Sequence, residues 1–190
     1  MSEMGRILYE KLTTVVLGLN GLREYYDGLF VVITNPYGLH SMLYPWLFTS
    51  DGDLVREIYR NLGLEIPSYH PDNIPISIPE GSIDYARRGS FTEDFFKSHG
   101  NRQNPYHDGA LVYLLNSDFN PTSVLAGVLF HLAPKNLIRT NGSKGGRFDA
   151  ALRVSGEPGI ICCGIIGNNQ QEHTIHIFEG GKETTSLYQK

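Results

Sequence analysis

Cysteine is almost absent from this 190-residue chain. Only Cys162 and Cys163 occur, and they are adjacent. Neighbours on a strand face opposite sides, so they make poor disulfide partners and no metal motif. Buried thiols in a reducing cytoplasm are expected. Long apolar runs are also missing. The longest, from Gly159 to Ile166, falls far short of the ~20 residues of a membrane helix. Met1 to Asn20 has no basic segment leading into a continuous apolar stretch, so no signal peptide is expected. Basic excess is lacking too, with 16 Lys and Arg against 20 Asp and Glu. That balance argues against a surface for duplex nucleic acid and leaves room only for a small basic pocket. None of the seven histidines falls in a His-x-x-x-His or Cys/His pattern, so no zinc site is assigned. His173 and His176 would face opposite sides of a strand, and His107 and His131 read as locally hydrogen-bonded residues. No spacing supports a Ser/His/Asp or Cys/His nucleophile, and neither repeats nor low-complexity segments occur.

What is present fits one soluble domain over 1–190. Hydrophobic residues are 41% and charged residues 19%, and a compact chain of this length buries about 70% of its unfolded surface. Gly 21 and Pro 10 exceed average usage of about 12% and predict many turns and short elements. Apolar spacing predicts helices over 6–19 and 53–62, and strands over 28–34, 109–115, 122–132, 159–166 and 174–178. The strand at 28–34 is closed by Asn35-Pro36, and 39–48, broken by Pro45, stays unassigned. Residues 65–90 are proline-rich, with Ile74, Ile76 and Ile78 alternating as on an edge strand. A short helix over 91–98 would be capped by Ser90 and Glu93. Asn116–Pro121 and Gly167–Gln171 read as hairpin turns, and 147–154 as a helix. The pattern is α/β, a mixed twisted β-sheet flanked by helices.

Three places invite chemistry. Tyr106-His-Asp-Gly-Ala110 precedes a strand. Its Gly109 and Ala110 allow a ligand close to the backbone, and Asp108 can hold a divalent cation or accept from a hydroxyl, although Asp-Gly taken alone reads more often as a turn. Gly142-Ser-Lys-Gly-Gly-Arg147 opens a helix. Backbone N–H groups, the helix dipole, Lys144 and the Arg147 fork suit a phosphate; the plain alternative is a basic surface loop. It is no Walker loop, because neither Ser nor Thr follows Lys144. Ser155-Gly-Glu157 supplies a further donor and carboxylate, or simply ends the helix.

Taken in order, His107-Asp-Gly-Ala-Leu-Val112, a hairpin, Gly145-Gly-Arg-Phe-Asp-Ala-Ala-Leu-Arg-Val-Ser155 and a β-rich end resemble the diadenylate cyclase domain. That domain occurs in DNA-integrity-scanning proteins and membrane-bound cyclic di-AMP synthases. The resemblance covers about 84–182 and implies a diadenylate-cyclase-like fold from a bacterium, archaeon or phage. In the family two protomers face each other, each holding ATP, so the resemblance implies a homodimer or larger homo-oligomer. It also implies Asp108, Gly109 and Ala110 at the metal and ribose and Arg147 and Ser155 at the phosphates; the loop around Arg147 adds Lys144, Gly145, Gly146 and Phe148 as candidate nucleotide-binding residues.

The chain departs from the family's Gly-Thr-Arg-His-Arg. Gly146 stands for Thr, Phe148 for His and Asp149 for the second Arg, and Glu157 is displaced by one position. An Arg-to-Asp exchange changes the local charge by about −2 and should repel a triphosphate unless a metal intervenes. Phe148 would stack on a base. Two functions follow. One is a nucleotide-binding sensor or regulatory module with catalysis lost or altered. The alternative is an active nucleotidyl cyclase joining two ATP into cyclic di-AMP or a related product. In that case Asp108 and Arg147 would be catalytic, with Asp108 and Asp149 sharing Mg²⁺ or Mn²⁺.

Overall fold

The computed structural model describes residues 1–19, 25–43, 53, 56, 57, 59, 60, 93–104, 107, 109–115, 121–127, 145–169 and 172–185. The expected edge strand over 74–78, the turn at 116–120 and the end of the strand beyond 127 lie outside these.

Ser2 starts helix α1 (Glu3–Leu17). Its hydroxyl accepts from the Gly5 N–H at 3.1 Å, and the Glu179 carboxylate in turn accepts from the Ser2 N–H at 2.9 Å. The buried stripe is Met4, Leu8, Leu12 and Val15, so the helix starts three residues before the predicted boundary. Strand β1 (Leu29–Thr34) is buried throughout. Helix α2 (Pro36–Leu43) follows at once. Asn35-Pro36 therefore opens a helix rather than merely closing a strand. The Asn35 side chain accepts from the Gly38 N–H at 3.0 Å, and Pro36 takes the first helical position, where no N–H is needed. The described residues of the predicted 53–62 helix (Asp53, Arg56, Glu57, Tyr59 and Arg60) are helical, with Tyr59 buried. Helix α3 (Glu93–His99) buries Phe96 and His99. Then come β2 (Ala110–Leu115), β3 (Pro121–Gly127), helix α4 (Gly146–Val154), β4 (Ile160–Asn169), β5 (Glu172–Glu179) and the two-residue β6 (Lys182–Glu183).

The strands form one sheet in the order β3-β2-β1-β4-β5-β6. Among the described strands only β1 and β2 run parallel, with Val31 opposite Leu111, and the other pairs are antiparallel. The mixed sheet predicted from sequence is thus present. The β4–β5 hairpin reaches further than apolar pattern indicated. Gly167, Asn168 and Asn169 pair with Thr174, His173 and Glu172 through backbone bonds that do not depend on side-chain polarity.

Alternation along the strands sorts the core into two layers. Phe30, Val32, Val112, Cys163, Ile165 and Phe178 join Leu39 of α2 and Phe148 and Ala151 of α4. Leu29, Val31, Ile33, Leu111, Tyr113, Cys162, Ile166 and Ile177 join Leu8 and Leu12 of α1 and Phe96 of α3. The adjacent cysteines do face opposite layers, both buried. A bulge between Ile33 and Thr34 puts Ile160 in the layer of Cys163, out of step with Cys162.

The bend into β1 requires glycine. Gly28 has φ 103°, and a Cβ there would collide with the backbone carbonyl of Ile166 and lie 3.1 Å from Nη1 of Arg147. Gly28→Ala is expected to cost about 2 kcal/mol in urea unfolding, from left-handed strain plus a backbone shift. Stability unchanged within about 0.5 kcal/mol would show that the bend tolerates a side chain.

Candidate functional site

Arg147 lies in the first turn of α4. The residue before the helix, Gly145, has φ 107°, a conformation that favours glycine, and among the described residues no side chain caps the helix. Gly145 and Gly146 are exposed, and among the described residues a Cβ on either would meet nothing within 4 Å. Arg147 reaches back to the loop before β1. Its Nη1 donates to the Asp27 carbonyl and its Nη2 to the His107 carbonyl at 3.3 Å. Nη2 also lies 3.5 Å from the Asp27 carboxylate.

Asp27 is where three segments meet. Its N–H donates to the Gly100 carbonyl at 2.8 Å, and the Arg102 N–H donates to the Tyr25 carbonyl at 2.8 Å. This pairing brings Arg102 Nε to 3.0 Å from one carboxylate oxygen, while His107 Nε2 stands 3.7 Å from the other. Burial pushes the Asp27 carboxyl up. The hydrogen bond from Arg102 and the charges of Arg147, Arg102 and His107 together outweigh it and hold the carboxyl below its ordinary value.

Beside this cluster Gly109 and Ala110, both buried, lead into β2. The Gly109 carbonyl faces Nε2 of His99 at 3.3 Å. A carbonyl only accepts, so Nε2 carries the hydrogen. Burial is the main cause lowering His99 to about 4, with the charges of Arg147 and His107 acting in the same direction and the bond to Gly109 opposing them. Asp108 and Lys144 lie outside the described residues, as does His131.

The other predicted site residues are placed differently. Phe148, expected to stack on a base, is a core residue only 7% exposed. Its ring meets Phe178 edge-on at 4.9 Å and His176 at 5.3 Å. Its position in the first turn of α4 aims it at the sheet, which wants an apolar ring there. Ser155 is buried at the C-terminal end of α4, and its hydroxyl donates to the Leu152 carbonyl at 3.0 Å. Eight residues of helix set it about 12 Å from Arg147 along the axis, at the opposite end of α4. Asp149, half-buried, shares the first turn with Arg147. Among the described residues no three His, Cys, Asp or Glu side chains gather as a metal site. His107 is locally hydrogen-bonded as predicted, Nδ1 donating to the Asn104 carbonyl at 2.8 Å. His173 and His176 do face opposite layers, His173 against Tyr26 and His176 against Phe148.

Sequence reasoning missed Asp27, Arg102 and His99. One signal was available for the first. Asp27-Gly28 precedes β1 as Asp108-Gly109 precedes β2, so the two parallel strands are entered through the same dipeptide.

No protein-family model matches the chain, and no curated protein matches it. Solved structures do. A double mutant of DacA from Staphylococcus aureus superposes with a TM-score of 0.50 at 14% identity, over 96% of this chain and 88% of that one. A hypothetical membrane spanning protein from Bacillus cereus gives 0.48 at 12% identity, over 92% of this chain and 60% of that one. Among the described residues no helix is long and apolar enough to cross a membrane. At such identity the likeness to DacA speaks for architecture alone, and it agrees with the order of motifs: the chain has the diadenylate-cyclase-like fold, a mixed sheet between helices.

Proposed function

We propose that this chain is a nucleotide-binding domain that serves as a sensor or regulatory module, with dinucleotide synthesis lost. The observation that carries the proposal is the state of Arg147. It stands in the first turn of a helix whose N-cap is a glycine, where N–H groups and a guanidinium suit phosphate oxygens. Yet its charge is already shared with Asp27, and the next two residues supply a core phenyl ring and a carboxylate. Such a site favours holding a nucleotide over stabilising the charge that develops when two triphosphates condense. A divalent cation, Mg²⁺ or Mn²⁺, would accompany the phosphates, with Asp108 and Asp149 as its nearest carboxylates in sequence to the two motifs.

Calorimetric titration with ATP, ADP and cyclic and linear dinucleotides, together with mass spectrometry after incubation with ATP and Mn²⁺, tests this. At least one nucleotide should bind, and no dinucleotide should form. Arg147→Ala should weaken binding about tenfold, the loss of one charge-assisted contact. A dinucleotide product that disappears in Asp108→Ala would instead establish an active cyclase. Absence of any nucleotide binding would overturn both.

A further inference from the structure

We infer that Arg102, His107 and Arg147 form a polyphosphate cradle that Asp27 occupies in the resting chain, and that an incoming phosphate displaces the Asp27 carboxylate. The inference rests on the proposed nucleotide binding and names the residues that take its phosphates.

Three segments distant in sequence bring these side chains to one carboxylate. Arg102 Nε is 3.0 Å from Asp27, Arg147 Nη2 is 3.5 Å and His107 Nε2 is 3.7 Å. Among the described residues two guanidiniums, those of Arg102 and Arg147, face the one Asp27 carboxylate. Carboxylate and phosphate oxygens offer a guanidinium the same kind of acceptor, so a set that holds the first fits the second.

The Arg147 and His107 corners of the cradle have anchors other than the carboxylate. Arg147 is held by two backbone carbonyls, those of Asp27 and His107. Close packing against Gly28 fixes its Nη1 end. Arg102 is carried on a backbone pinned to Tyr25, and the loop of Asp27 is pinned to Gly100. When the carboxylate swings away Arg147 stays in place, and Arg102, held by its backbone, can follow the incoming phosphate.

Displacement is also within reach energetically. The Arg102 side chain is 56% exposed and that of Asp27 28%. Ion pairs this open to water seldom contribute more than about fivefold to an equilibrium. A tripolyphosphate brings several charges to the same donors and competes effectively, most of all at low salt.

The test titrates sodium tripolyphosphate and, separately, ATP into the wild-type chain, Asp27→Asn and Arg102→Gln. Asp27→Asn should tighten tripolyphosphate binding about fivefold, and Arg102→Gln should weaken it about threefold, both shifts shrinking at high salt. Arg102→Gln changes an exposed side chain and keeps the test decisive if Asp27→Asn does not fold. Tripolyphosphate affinity that is unchanged in both variants, or undetectable in all three proteins, overturns the cradle. ATP binding that survives such a result leaves the nucleotide proposal standing. Tripolyphosphate binding with the expected shifts, but no binding of any nucleotide, supports the cradle and overturns the nucleotide proposal.

Discussion

Phe148→Ala should lower the unfolding free energy by about 3 to 4 kcal/mol, seen as an earlier urea midpoint with an unchanged slope. The ring is 7% exposed and shares a layer with Phe30, Val32, Ile165 and Phe178. Removing it takes away the transfer free energy of a phenyl group and leaves a cavity between α4 and the sheet. It also breaks edge-on contacts with Phe178 at 4.9 Å and His176 at 5.3 Å, each worth about 0.5 to 1.5 kcal/mol beyond the area buried. Phe148→Leu keeps much of the volume and should cost less than half as much. A ring that served as a platform for a base would behave otherwise, with nucleotide affinity falling and stability nearly constant. The two roles are therefore separated by one pair of measurements on one variant.

The layers were legible in the sequence because burial on both faces of a strand leaves continuous apolar runs, and β1, β2 and β4 have them. Opposite orientation of Cys162 and Cys163 follows from the two-residue period of a strand alone. Element ends were less legible, since caps decide them. Asn35-Pro36 looks the same whether it closes a strand or opens a helix, and only the Asn35 to Gly38 hydrogen bond shows the second. In the same way Gly167 to Asn169 look like a turn, but backbone pairing to β5 makes them strand.

The site divides along the same line. Arg147 was visible because a glycine-rich loop before a helix is a local pattern. Phe148 and Ser155 came with it as motif neighbours, but helical geometry sends one into the core and puts the other at the far end of α4. Asp27 and Arg102 lie far apart in sequence and carry no shared motif. Their meeting depends on the bridge between Tyr26 and Asn101, a tertiary contact that no local spacing encodes. His99 is similar. Its burial follows from the packing of α3 under the start of β2, and an isolated histidine in a charged segment gives no sign of it.

That burial has a consequence in acid. The chain should lose about 3 kcal/mol of stability as pH falls from 6.5 to 4 through His99 alone. In the unfolded chain the imidazole titrates near its ordinary 6.5, whereas in the folded chain burial, opposed by the bond to Gly109, lowers it to about 4. A folded value below the unfolded one means that the unfolded chain binds the proton first. The contribution of His99 is therefore complete above pH 6.5 and drains away across that interval. Asp27 acts in a lower window. Its carboxyl sits below 3.8, so the stability it lends is present above that value and lost as pH falls further. The two windows barely overlap, and urea midpoints at pH 7 and pH 4.5 report chiefly on the histidine. His99→Gln retains an N–H for the Gly109 carbonyl and cannot gain a proton. It should lose markedly less stability between the two pH values than the wild type, whatever its stability at pH 7. Equal losses in both proteins would mean that another group carries the acid sensitivity. A reduced loss would tie it to the residue that anchors the backbone of Gly109, and with it the entry to β2.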